Sequence, residues 1–80
     1  VSRARDVVEV VARSLAARPD EVEVTTAERR GTTVIELTMA PGELGRVIGR
    51  QGRTAAALRT LAAAAGELDG QRVTVDFRDD

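Results

Sequence analysis

The sequence contains no cysteine, histidine, lysine, tryptophan or tyrosine, and only one phenylalanine. Each absence removes a class of explanation. Without cysteine there is neither a disulfide staple nor a thiolate metal site, which fits a reducing cytoplasm. Without histidine the usual acid–base group at neutral pH is missing, and two common nucleophiles, lysine and cysteine, are missing with it. Ser2 and Ser14 are the only serines, and neither has a histidine to activate it. The glycines at 45, 49 and 52 match neither a P-loop, which needs Lys-Ser/Thr, nor a GxGxxG dinucleotide fingerprint. No catalytic residue, no metal ligand and no cofactor is therefore expected. No apolar run approaches the length of a membrane span, and the first residues carry no signal-peptide pattern. Val1 is not an initiator methionine, so the natural start is expected upstream of it.

What is present is charge, alanine and glycine in an 80-residue chain, the size of one small domain. Thirteen acidic residues nearly balance twelve basic ones, for a net charge of -1, and every basic residue is arginine. Arginine supplies a planar fork of donors suited to phosphate. The positive charge is not spread evenly. Between Leu44 and Arg59 stand Arg46, Arg50, Arg53 and Arg59, and no acidic residue.

Periodicity gives the order of elements. Residues 2–17 read as an amphipathic helix, with Val8, Val11, Ala12 and Leu15 on one face and Val7 and Val10 widening it. Ser2 is the expected N-cap, and Pro19 ends the element. Residues 21–27 and 32–39 alternate as two half-buried strands. The turn at Glu28 to Gly31 makes them an antiparallel pair, with Gly31 the expected positive-φ residue. Arg29 and Arg30 at this tip read either as solvated charges or as a second nucleic-acid contact. Ala40-Pro41-Gly42 breaks the second strand, and residues 43–47 form a short helix. Residues 53–65 form an alanine-rich helix with Leu58, Leu61, Ala62 and Ala65 on one face, capped by Gly66. Residues 72–77 are a last strand with Val73, Val75 and Phe77 inward, and Arg78-Asp79-Asp80 is expected to fray.

Between the short helix and the alanine-rich one stands Val47-Ile48-Gly49-Arg50-Gln51-Gly52-Arg53, a GxxG tetrapeptide behind an apolar pair. A glycine lets backbone approach a ligand closely and accepts positive φ. Outward N–H groups in such a turn, leading into a helix N-terminus, favour an anion. A short GxxG also serves as a plain helix corner; the local surplus of arginine favours phosphate.

These residues resemble the signature of KH domains, RNA-binding modules whose GxxG loop clamps the nucleic-acid backbone. The longer run GRVIGRQGRTAAALRTL, with the glycine-bounded loop and strand after it, resembles the small bacterial KhpA-type KH proteins. Ala55 is small where KH domains in general carry a larger apolar residue, and this agrees with the KhpA-type pattern. The resemblance implies an α+β fold, a type II KH domain of order αββααβ. A three-stranded mixed sheet would carry its helices on one face, in a single domain over residues 1–80. It also implies a groove for about four nucleotides. Its walls would be the two helices with the GxxG loop and, opposite, the second strand with the loop before the last strand. Gly49 and Gly52 would admit phosphate, Arg50 and Gln51 would project toward it, and Arg46 and Arg53 would add charge. Ile48, Leu37 and Ile35 would lie at an apolar floor or just beneath it, and Glu67 and Asp69 would repel phosphate from the groove-side loop. The expected function is single-stranded RNA binding by a cytoplasmic bacterial regulator or RNA chaperone. The alternative is a protein-interaction module, either a homodimer or a heterodimer with a larger KH/R3H protein. Gly45, Arg50 and Gln51 would then stand at the contact.

Overall fold

Helix α1 spans Arg3–Leu15 in the computed structural model, which describes residues 2–78. The Ser2 hydroxyl accepts the Arg5 N–H at 3.1 Å and so caps the helix. The expected tail residues Asp79 and Asp80 lie outside the described residues. Pro19 opens a single 3₁₀ turn, Pro19–Glu21, so β1 starts later than its alternation suggested, at Glu23, and runs to Arg29. Strand β2 spans Thr32–Thr38. The turn between them holds two residues with positive φ, Arg30 at 53° and Gly31 at 80°. This primed geometry matches the twist of the strands.

Helix α2 is a single turn, Gly45–Ile48, followed by a 3₁₀ turn at Arg50–Gly52, helix α3 at Arg53–Leu68 and strand β3 at Val73–Arg78. The sheet order is β1-β2-β3, with β1 antiparallel and β3 parallel to β2. The order is αββααβ, with the helices on one face of a mixed sheet.

The core is built from small and medium residues. Ala4, Val8 and Ala12 of α1 meet Leu58 and Ala62 of α3, above Val24, Ile35, Leu37, Val73 and Val75 of the sheet. Each helix keeps most of its expected stripe, Val8, Val11 and Ala12 on α1 and Leu58, Ala62 and Ala65 on α3. Val10 and Leu15 of α1 face solvent, as does Leu61 of α3, while Ala4, Ala55 and Gly66 are buried. Alanine and glycine fill the gaps between the larger buried side chains Val8, Leu58, Ile35 and Leu37. Gly66 does not cap α3. It lies inside the helix, where an added Cβ would stand 2.4 Å from Val73 Cγ2 and 3.2 Å from the Gln71 carbonyl. Its bare backbone lets the end of α3 close onto the start of β3.

The opposite face of the sheet is open and charged. Glu36 at its centre accepts from Thr25 Oγ1 at 3.1 Å and pairs with Arg29 at 3.4 Å and Arg78 at 2.7 Å. Arg78 is thus an ion-paired strand residue and no frayed end. Arg29 is committed to this face.

Candidate nucleic-acid interface

The α2–α3 turn owes its shape to left-handed backbone at three positions. Gly49 has φ 76° and ψ 173°, Gln51 has φ 57° and ψ 24°, and Gly52 has φ 72° and ψ 14°. The Gly49 combination is open only to glycine. A Cβ there would also stand 2.4 Å from Thr54 Oγ1 and 2.8 Å from Thr54 Cβ. Gly52 differs: an added Cβ would meet nothing within 4 Å. Gly52 needs glycine for its φ, and the space beside it lies outside the protein. Gly45 is likewise open within 4 Å, without a positive φ to require it. Gln51 is a non-glycine residue held left-handed, a strain of about 1–2 kcal/mol at the tip of the turn.

The amides of the turn divide into two sets. Gly49 N–H donates to the Gly45 carbonyl at 2.9 Å and Gly52 N–H to the Gly49 carbonyl at 3.1 Å. The glycine amides are therefore internal, against the expectation of an outward glycine cradle. Closing a 3₁₀ turn between two helices requires those bonds. The amides of Arg50 and Gln51 have no hydrogen-bond partner among the described residues, and both side chains are exposed. The donors facing outward are thus those of the two central residues.

The arginines differ in their commitments. Arg50 has no ion pair or hydrogen bond among the described residues. Arg53 donates to Gln51 Oε1 at 3.1 Å, which steadies the tip. Arg46 stands 3.5 Å from Glu43 and stays exposed. Glu43 itself is only 6% exposed. Its carboxylate accepts the backbone N–H groups of Ala17 and of Arg18, the latter at 3.1 Å. It thereby ties the segment after α1 to the approach to α2 and fixes where the turn begins. The sequence reading placed Glu43 at a helix start; the helix begins at Gly45, and Glu43 works across the fold instead.

β2 is the central strand, paired on both sides, and Ile35 and Leu37 are 0% exposed, so they lie beneath any surface. Ile48 is half-buried next to the turn. The strand that borders α3 is the edge strand β3. Gly66 lies against Val73, and Arg59 Nε lies 3.4 Å from the Val75 carbonyl, so helix and strand run side by side in opposite directions. The Arg59 guanidinium also sits 5.0 Å over the Phe77 ring. The only aromatic side chain is thus half-buried under a cation at the edge, a pairing that neither residue's sequence context signals. The loop before β3 lies beyond the far end of α3, about 20 Å along the helix from Gly52. Glu67 and Asp69 therefore do not oppose phosphate at the turn.

A mixed sheet in β1-β2-β3 order, with a GxxG turn between α2 and the long helix α3, is the architecture of a type II KH domain. A variant of Aquifex aeolicus Era, crystallised with GDP.AlF4-, shares this fold with a TM-score of 0.63 over 92% of the chain at 22% identity. The shared part is 29% of that protein. Residues 5–77 match the KhpA/KhpB KH domain, and the chain belongs to that family. Relatives named RNA-binding protein KhpA include that of Aquifex aeolicus, 47% identical over 96% of this chain and 98% of its own. That of Leifsonia xyli is 47% identical over 88% of this chain and 90% of its own. That of Clostridium acetobutylicum is 40% identical over 91% and 97%.

Proposed function

We propose that the chain binds single-stranded RNA through the Gly49–Gly52 turn, as a cytoplasmic bacterial post-transcriptional regulator or RNA chaperone. The observation that carries this is the uncommitted tip. Arg50 and Gln51 present free amides and exposed side chains, and Gly52 leaves open space at their side. A phosphate can meet the two amides and the Arg50 guanidinium together, while Arg46 and Arg53 raise the local potential. The name carried by the relatives agrees. Phe77 is covered by Arg59, so base stacking, worth about 1–3 kcal/mol per base where it operates, adds little. One domain then binds weakly and by backbone contacts.

Replacing Arg50 and Gln51 together by aspartate tests the reading. Both side chains are exposed, so the fold persists, and RNA affinity is lost in a fluorescence anisotropy titration. Affinity of the unaltered chain falls steeply between 50 and 200 mM salt, on the order of tenfold or more for a few phosphate contacts. Unchanged affinity in the double variant refutes the site.

A second reading has its own observation, Gly45. Nothing in the chain's own fold occupies the space where its side chain would be. Another protein surface fits there, whether a second copy or a larger KH/R3H protein, contacting Gly45, Arg50 and Gln51. Analytical ultracentrifugation with and without a short RNA separates the cases, and a persistent monomer removes the homodimer.

A further inference from the structure

Arg59 is exposed, stands in the first half of α3 and has no ion pair among the described residues. The carboxylate of α3 itself, Glu67, lies about 12 Å further along the helix. On β3, Asp76 is engaged by Arg78 Nε at 3.3 Å. What holds Arg59 is neutral. Thr33 N–H takes the Arg72 carbonyl at 2.8 Å, so Val73, Val75 and Phe77 turn their carbonyls away from β2 toward the free edge of the sheet. Arg59 Nε donates to the Val75 carbonyl at 3.4 Å, and its guanidinium lies 5.0 Å over the Phe77 ring. Neither contact neutralises the charge. Neither uses the two terminal nitrogens, which have no hydrogen-bond partner among the described residues. An arginine held by its Nε and by one face has already given up part of the rotamer freedom that a new contact costs.

We infer that Arg59 is a second phosphate anchor for the strand engaged by the Gly49–Gly52 turn, and that Phe77 and the Val75 carbonyl position it. The inference rests on the proposed RNA binding and extends its contact surface about 10 Å along α3 from Gly52. The free terminal nitrogens present paired N–H donors, and a phosphate offers paired oxygens to receive them. A free phosphate and a strand share that chemistry; the strand is favoured because the turn that starts α3 already presents unpartnered amides to it. The pairing of Arg59 with the only aromatic ring then has a purpose in binding. It keeps a full positive charge extended and pointed at the edge of the sheet, where no carboxylate of the fold reaches it.

The test uses the full chain and a labelled uridine octamer, titrated by anisotropy at several salt concentrations. Arg59→Met keeps an apolar cover over Phe77 and removes the charge and the donors. Each phosphate contact to a single strand contributes about 0.7 to the slope of log K against log salt, so this variant loses about 0.7 of slope and about fivefold in affinity at about 0.1 M salt. Arg59→Lys restores the slope, because it restores the charge. Phe77→Leu leaves the charge but loosens it, so the slope is kept while affinity falls by less than in Arg59→Met. A purely structural role for Arg59 moves the melting temperature and not the slope. An Arg59→Met slope equal to that of the unaltered chain, or tighter binding by that variant, overturns the inference, while loss of binding in the Arg50, Gln51 double variant still upholds the turn. An unaltered chain that binds no octamer removes the RNA reading and this inference together.

Discussion

Gly49 and Gly52 stand three residues apart in one turn, yet the structure gives them different jobs, and substituting each by alanine separates those jobs. At Gly49 the conformation with φ 76° and ψ 173° strains any side chain by about 1–3 kcal/mol. The new Cβ would also press on Thr54 Cβ at 2.8 Å and Thr54 N at 3.1 Å, atoms anchored in the first turn of α3. Overpacking of that kind adds about 1–3 kcal/mol. The sum, about 2–6 kcal/mol, is a large share of the stability of a chain this size and lowers Tm by more than about 8 °C. At Gly52 the residue is left-handed at φ 72° and ψ 14°, and the Cβ meets nothing within 4 Å. The strain of about 1–2 kcal/mol is partly offset by about 0.5 kcal/mol of lost unfolded-state entropy. Gly52→Ala, at a net cost of about 0.5–1.5 kcal/mol, therefore melts only about 2–12 °C lower. Its methyl group stands in the open space beside the uncommitted amides, so its main effect falls on RNA affinity. Thermal melting by circular dichroism and anisotropy titration read the two effects apart. Truncating Thr54 to alanine does not rescue Gly49→Ala, because the Cβ contact remains. If the two alanine variants melt together, or if Thr54→Ala restores the first of them, the division of roles is wrong.

Further predictions concern the supports of the turn. Glu43→Ala removes a buried carboxylate that accepts two backbone amides, and destabilises by about 2 kcal/mol, or a Tm loss near ~10 °C; Glu43→Gln, which keeps one acceptor, loses about half of that. Gly66→Ala destabilises by about 1–3 kcal/mol despite better helix propensity, because its Cβ meets Val73 Cγ2. Its effect combines with that of Val73→Ala less than additively in denaturant melts, since the second substitution removes the obstructing methyl group. Glu9 has its pKa lowered, first by a hydrogen bond from Arg5 and then by the charges of Arg5 and Arg13. A depressed carboxylate pKa adds stability that is present above the ordinary value of 4.5 and is lost as pH falls through the lower folded value. Glu9→Gln therefore narrows the gap between neutral and acid stability in urea titrations, and an unchanged gap contradicts the pairing.

The order of elements was legible because alternation, helical spacing and turn residues all agreed along this chain. The inner faces were less legible. A stripe of valine and leucine looks like the core side of α1, but the space between α1, α3 and the sheet is narrow. Ala4, Ala12, Ala55 and Gly66 fit it beside Val8 and Leu58, while Val10 and Leu61 turn to solvent. Helical phase decides which residues turn inward: Val8 and Leu58 are as buried as the alanines, whereas Val10, two residues from Val8, falls on the far side of α1. The same limit hid Gly66, which as a glycine near a helix end reads as a cap and is instead the contact through which α3 meets β3. Glu43 was hidden for another reason: its partners are backbone amides 25 and 26 residues away, and no local pattern encodes them.

Charge shows the same divide between what a sequence counts and what a fold arranges. A net charge of -1 suggests a poor ligand for a polyanion. The fold changes that by pairing charge selectively. Arg3 is held by Asp69, Arg5 and Arg13 by Glu9, Arg18 by Glu21, and Arg29 and Arg78 by Glu36. These pairs lie on α1, beside it and on the open sheet face, and one more, Arg46 with Glu43, stands just before the turn. Among the described residues Arg30, Arg50, Arg53, Arg59 and Arg72 have no carboxylate partner, and Arg59 rests over Phe77. Of these arginines without a carboxylate, Arg50, Arg53 and Arg59 thus gather at the turn and along the first half of α3, whose last turn carries the unpaired Glu67. A polyanion approaching this nearly neutral protein meets positive charge at the GxxG turn and the first half of α3. That arrangement needs no basic excess in the composition, because it comes from where the carboxylates are already taken.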